Sequence, residues 1–434
     1  MVRRATDRLP GSLSPIPAPT SARGRRRGPA LAGLAGLALL VAVAFRLEAG
    51  VAWEANGVGG TENPSGSDRP IAAPPEQPFD PHVLVLIDGY REVFATLAQS
   101  GRAAAVERAT KLESQALAES PGKAVEWLSL ADRYLLDEFV LARPDCALPL
   151  AVFYQRLVLV HAAQKRYSLS QRALRVTEGL YGKMSLAARN EDDRRLTSTA
   201  YAGFAADLLT VPAPTRAAEM LSLGLLLTPD DVDASIALAI LLLRDRQPAA
   251  AAVRLDRVLG AHPGHREARL RRALMRAGFS ADGRVADELE ALATSGENDW
   301  IALVAAQERA RRLLATGDYA KASAFLNQAI ERFPAESSLR VALAFAAARS
   351  GKRAAAQSAV ESALAAQAPP GEAARRRFGE LPIRLLRPKA VVAEAAADAR
   401  VPMLAAAISA TGRSAPVPSV APGAATAPVT GQSR

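Results

Sequence analysis

The chain has 434 residues, 49% of them apolar and only 5% aromatic, with one cysteine and a formal net charge of +10. That length suits two or three ordinary domains or one long solenoid; alternating β-branched runs are nearly absent, which excludes an all-β fold, and one cysteine excludes an internal disulfide. The charge does not make a nucleic-acid reader: seven arginines against one acid in residues 1–28 supply +6 of it, and residues 46–434 carry 47 basic against 43 acidic side chains, whereas nucleic-acid binding concentrates cations on a groove or helix face.

Residues 1–28, with Arg3, Arg4, Arg8, Arg23, Arg25, Arg26 and Arg27, precede the uncharged stretch 29–45. Seventeen residues rise about 25 Å as a helix, at the short end for crossing the hydrocarbon core. Basic flanks stay cytoplasmic. The expectation is therefore a single-pass inner-membrane protein: a cytoplasmic stub, a transmembrane signal anchor through the lipid bilayer at 29–45, and a periplasmic body. The alternative is a signal peptide cut after Ala44, where Ala42-Val43-Ala44 has the small-x-small form, leaving a soluble periplasmic protein. Asn56-Gly57, Gly59-Gly60 and Pro74-Pro75 mark 46–79 as a disordered linker. The Ala, Pro, Ser and Thr tail 411–434 is likewise predicted disordered.

Between them lie helices. Asp80 as N-cap and Pro81 at the first helical position start one that runs to about Gln99. Others are predicted at Arg102–Glu119, Lys123–Ala142, Leu148–Ala163 and Ser168–Tyr181, with a charged break at Arg189–Arg195. In the third, Trp127, Leu130, Tyr134 and Leu135 read as one apolar stripe. The carboxylate pairs Asp192-Asp193 and Asp230-Asp231 read as loop residues, with Asp230 capping a helix.

A beat of 34 residues follows. Pro229 and Pro263 are 34 apart, as are Gly317 and Gly351, and Ala329 and Ala363. A fixed period punctuating pairs of short apolar helices marks a repeat array. From Ser198 the chain resembles the tetratricopeptide-repeat (TPR) family. Leu303–Glu336 carries Gly317-Asp318-Tyr319 at the turn, then Ala322, Leu326, Ala329 and Pro334 in register. Ser198–Asp231, Val232–His265 and Ser337–Pro370 follow the same pattern, and Arg266–Ala302 is a degenerate unit with three extra residues. The resemblance implies an all-α, right-handed α-solenoid of helix hairpins over 198–370. Irregular helical hairpins at 80–197 precede it and a helical cap at 371–410 follows. Arg375, Arg376, Arg377, Arg384, Arg387 and Lys389 read as a solvated helix end.

The same resemblance implies a peptide-binding groove lined by the first helix of each unit. Its contact positions fall on Ile236, Ile240, Leu243 and Arg244, then Gln307, Arg311 and Leu314, then Val341, Phe345 and Arg349. Apolar side chains interleaved with arginines suit a protein segment bearing a carboxylate, which Arg binds bidentately.

No Walker, Rossmann or nucleophile-elbow motif is present. His262 and His265 fall on an inter-repeat turn, short of a metal ligand set, and Cys146 reads as a small buried hydrophobe. No catalytic residue, metal or cofactor is assigned. The expected function is a membrane-anchored scaffold for protein partners in the bacterial cell envelope, without nucleic acid; homo-oligomers are compatible with it. The alternative is an accessory or catalytic subunit of an envelope enzyme, with its site in residues 80–195.

Overall fold

The computed structural model describes residues 80–141, 143–211, 213–277, 283–296, 299–366 and 372–411. The basic stub, the expected anchor 29–45, the linker 46–79 and the tail from 412 lie outside the described residues. Among those described are sixteen α-helices and no strand.

The helices α1 (Pro81–Ser100) and α2 (Arg102–Glu119) form the first hairpin, and α3 (Ala124–Leu136) packs across it. A π-helical turn, Asp137–Leu141, and a 3-10 turn, Pro144–Cys146, lead into α4 (Ala147–Ala163), which pairs with α5 (Tyr167–Ala187). Five more hairpins follow: α6 (Glu191–Thr210) with α7 (Pro214–Leu227), α8 (Val232–Arg244) with α9 (Pro248–Ala261), α10 (Arg266–Ala277) with α11 (Gly283–Thr294), α12 (Trp300–Ala315) with α13 (Tyr319–Arg332), and α14 (Ser337–Arg349) with α15 (Arg353–Ala365). Each hairpin packs on the next, which makes the chain an α-solenoid. The last helix, α16 (Glu372–Thr411), is 40 residues long.

Local chemistry explains the boundaries. The Asp80 carboxylate accepts from the His82 N–H, and Asn190, Asp231 and Asp299 cap α6, α8 and α12 in the same way. Asp231 rather than Asp230 is therefore the cap. Asp192 and Asp193 lie in the first turn of α6, where the helix dipole favours acids, and not in a loop. The expected break at 189–195 shrinks accordingly. In α3 the buried face is Trp127, Leu128, Ala131 and Leu135, while Leu130 and Tyr134 are exposed. Spacing alone admits either of two adjacent stripes; packing against α1 selects one.

First helices start at Val232, Arg266, Trp300 and Ser337, which are 34, 34 and 37 residues apart. The three extra residues thus fall after Trp300, where α12 has 16 residues against 13 in α8. Small residues let paired helices touch. A Cβ on Gly224 would meet the Tyr201 Cβ at 3.2 Å and the Ser198 carbonyl at 3.3 Å, and Ala205, Ala217, Ala239, Ala251 and Ala322 are fully buried.

Four of the hairpin turns share a left-handed residue at the same place. Gly317 and Gly351 supply it at φ 77° and 78°, and Lys165 and Arg246 hold the equivalent place at φ 59° and 58°. In all four the following N–H reaches back to a carbonyl in the preceding helix: Arg166 to His161, Gln247 to Leu242, Asp318 to Leu313 and Lys352 to Ala347. The α4–α5 hairpin therefore shares the repeat's turn although it lacks its glycine. A side chain costs about 1 kcal/mol in that conformation. Arg246→Gly should accordingly raise stability by about 0.5–1 kcal/mol, read as a higher urea midpoint at unchanged slope; a lower midpoint would mean that the turn is not left-handed.

The helix Pro144–Ala163 is long and apolar enough to cross a membrane, with mean hydropathy 1.5, but it is largely buried in the protein. It packs against α5, α2, α6 and α16, so it is a core helix. Cys146 at its start is fully buried and free.

Candidate binding groove

One face of the array is formed by first helices, and α16 lies along it. From the array's end, α16 turns back along the first helices α12, α8, α6 and α4 to α1. Its contacts give the order. Leu381 shares a cluster with Ile236, Ala239, Ile240 and Ala268. The Lys389 ammonium pairs with Asp231 at the start of α8. Ala390 lies against Gly203 of α6, where a Cβ would come within 3.0 Å of the Ala390 Cα. Glu394 pairs with Arg156 of α4 and, at 3.8 Å, with Arg102 of α2. Asp398 accepts from Arg102 at 2.5 Å, and Arg400 reaches Asp145 at 3.8 Å.

The buried seam of α16 runs Leu386, Ala393, Ala397, Leu404 and Ala407, with Ala390 partly buried between. These positions alternate four and three residues apart, the spacing of a helix laid along a groove. Four of the six are alanines, so the backbone lies close and hydrophobic anchoring falls on two leucines. Pro382, Pro388 and Pro402 sit inside the helix. Each removes a backbone hydrogen bond and costs about 3 kcal/mol in a helix interior, so α16 owes its helicity to the groove. A terminal cap was expected over 371–410; α16 instead lies along the first helices. Leu364 on α15 stays 81% exposed at the array's end. Arg384, Arg387 and Lys389 lie within α16 instead of at a helix end.

The groove residues expected from sequence divide into two groups. Ile236 and Ile240 are buried with Leu381, and Leu243 packs partly against the same cluster; Arg244 is exposed at the end of α8. The others lie on α12 and α14. Gln307 donates to the Ser338 hydroxyl at 2.9 Å, and Arg311 is held by Glu308 on its own helix at 2.7 and 2.6 Å. Leu314 is half-buried. Val341 and Phe345 are 52% and 48% exposed, and the Arg349 guanidinium lies 5.6 Å from the Phe345 ring centre. Residues not foreseen are Arg102, Arg156, Asp145, Asp231 and Gly203. The four-three spacing of α16, with Glu394 and Asp398 one turn apart, was the signal that could have pointed to them.

Residues 80–195 bring a second polar cluster together. Arg172 of α5 donates to Asp132 at 2.6 and 3.0 Å, to Glu113 at 2.9 Å and to the Tyr90 hydroxyl at 2.7 Å. Tyr90 donates to Glu113 at 2.5 Å and Tyr154 to Asp132 at 2.7 Å; the His161 Nε2 lies 2.5 Å from Glu113. All six side chains are buried. Burial alone would raise the Glu113 carboxyl, but Arg172, His161 and Tyr90 hold it below the ordinary range. Burial pushes the Asp132 carboxyl up in spite of Arg172. The cluster ties five helices together and is sealed from a substrate.

No protein-family model matches the sequence, and no curated protein matches it. Solved structures do. MamA from Desulfovibrio magneticus RS-1 is 17% identical, over 39% of this chain and 94% of that one, at a TM-score of 0.35. YrrB, a TPR protein with an unusual peptide-binding site, is 17% identical over 39% of this chain and 85% of its own, at 0.32. A tetratricopeptide repeat protein from Parabacteroides merdae is 14% identical over 70% of this chain and 99% of its own, at 0.33. The chain resembles TPR proteins in architecture; the hairpin register and turns described above carry that assignment.

Proposed function

We propose that this protein is a membrane-tethered scaffold of the cell envelope that holds segments of other proteins on the face formed by its first helices. One observation carries the reading: that face already holds a helix, α16, in a fixed register through ion pairs at Asp231, Arg102, Arg156 and Asp145. The α12–α14 half supplies the surface for a partner. Val341 and Phe345 present apolar area there, and Arg349 above the Phe345 ring is placed to take a carboxylate. The uncharged stretch 29–45 behind its arginine-rich flank supports the tether, with the stub in the cytoplasm and the body outside it.

Cross-linked affinity purification from native membranes tests this. Arg311→Glu with Arg349→Glu should lower capture of envelope proteins several-fold while helicity by circular dichroism stays unchanged; each exposed ion pair contributes up to about 1 kcal/mol. Undiminished capture would refute the role of this face. Release of the wild-type protein into the soluble fraction by a carbonate wash would refute the tether.

A further inference from the structure

We infer that the stretch of groove from α8 to α1 is a receptor for alanine-rich helices that carry a cation followed by two acids one turn apart, and that α16 is its resident competitor. A partner helix with the same chemistry takes its place. The inference rests on the reading that this face binds protein segments, and it names the partner's character and the means of control.

Three observations define the ligand. Gly203 leaves room for a helix backbone but not for a bulky side chain at the crossing, since even a Cβ at that position would press on the Ala390 Cα. The occupant must therefore be small there, as α16 is at Ala390, Ala393 and Ala397. Arg102 and Arg156 stand side by side on α2 and α4, and both take acids from one face of the occupant: Glu394 from both, and Asp398 from Arg102. Two carboxylates one turn apart are thus the charge signature. The Asp231 carboxylate, one oxygen of which caps α8, offers its other oxygen to a cation five residues before the first acid, where α16 places Lys389. Small seam, cation, then an acidic pair form a directional pattern that sets register.

Three further observations make α16 replaceable. Its seam has only two leucines among the six positions from 386 to 407. Three prolines weaken it as a free-standing helix. Its contact with Arg102 lies at the groove rim, where the Asp398 side chain is 66% exposed and open to exchange. What keeps α16 in place is its covalent connection, which acts as an effective concentration in the millimolar range. A partner helix prevails when its own affinity, or a second contact on α12–α14, exceeds that advantage.

The experiment is a fluorescence-anisotropy titration of full-length protein with a labelled synthetic peptide of residues 381–408. Wild type should bind it weakly. Two release variants should bind it at least ~10-fold tighter, because the tethered competitor is disabled. One is Leu386→Asp with Leu404→Asp; the other is Glu394→Lys with Asp398→Lys, which leaves the apolar seam intact and keeps the test open if the first misfolds. Adding Arg102→Glu and Arg156→Glu to the leucine variant should cost ~10-fold, as three ion pairs are lost. A peptide with Lys at 394 and 398 should recover that loss. The inference is overturned if folded release variants bind no tighter than wild type, or if the charge-swapped pair gives no recovery. It is also overturned if the release variants double in mass and exclude the peptide, which would make a second copy the occupant. Arg311→Glu with Arg349→Glu lies outside this stretch and should not affect the peptide. Failure here with envelope partners still captured at α12–α14 would remove the competitor mechanism alone and leave the scaffold reading standing.

Discussion

Arg172→Met should destabilise the N-terminal hairpins by about 3–5 kcal/mol at neutral pH, the cost of breaking a buried ion cluster from one side. Arg172 is the cation between Glu113 and Asp132, and it also donates to Tyr90. Methionine fills much of the volume but leaves two buried carboxylates without it. The Glu113 part of the pH dependence should change sign. In the wild type its depressed carboxyl contributes stability above the unfolded carboxylate range near pH 4.5, lost as pH falls through its folded value, while the raised Asp132 carboxyl acts in the opposite sense. Without Arg172, burial is opposed only by His161 and Tyr90 at Glu113 and by Tyr154 at Asp132, and both folded carboxyls rise. Their contribution is then intact only below the unfolded range and is lost as pH rises through the raised values. The gap between variant and wild type should widen from pH 4 to pH 7 in urea titrations. Glu113→Gln and Asp132→Asn added to the variant should recover part of the loss, because neutral amides need no counter-charge. A constant gap across that range would show that Arg172 acts by packing alone.

Leu386→Ala with Leu404→Ala should detach α16. Both leucines are fully buried, and each truncation costs about 2–5 kcal/mol. Eighteen residues separate them, about 27 Å along a helix, so the losses should add. Beyond them the helix is held by Leu381 and by ion pairs at Lys389, Glu394, Asp398 and Arg400, and its remaining seam is alanine. Trypsin should then cut at Arg384, Lys389 and Arg400 at least ~10-fold faster, since cleavage tracks the open population. Amide protection in α12 and α13 should stay as in the wild type. Their core, built on Leu289, Ala305, Leu313 and Leu326, is a cluster separate from that of Leu386 and Leu404. Equal loss of protection in both halves would mean that the array and α16 unfold as one cooperative unit.

Much of the array was readable because its determinants are local. Asp80-Pro81 starts a helix wherever it stands, since cap and fixed φ act within one turn. Gly317 and Gly351 mark turns because a left-handed residue is needed there. At Lys165 and Arg246 the sequence marks a turn but not its left-handed geometry, because the conformation is kept at some cost in strain and no glycine signals it. The stripe of α3 was misread toward Leu130 and Tyr134 because periodicity selects a helix, and only the neighbour selects its face.

Of the expected groove residues, Ile236 and Ile240 are covered by Leu381, whereas Val341 and Phe345 are open. Nothing near any of these four positions distinguishes them. The difference arises more than 100 residues away, in where α16 lies.

The sequence alone determined the helices, their caps, most of their turns and the 34-residue beat, because each depends on interactions within a few residues of chain. It also determined that α16 has a small-residue seam and an acidic pair. Only the tertiary structure decided what that seam faces, since a four-three pattern fits a neighbouring hairpin, an open end or a groove equally well. The choice was made by Gly203, Arg102, Arg156 and Asp231, four residues on four elements that share no local pattern. Folding brings them onto one face, where shape and charge admit a single register.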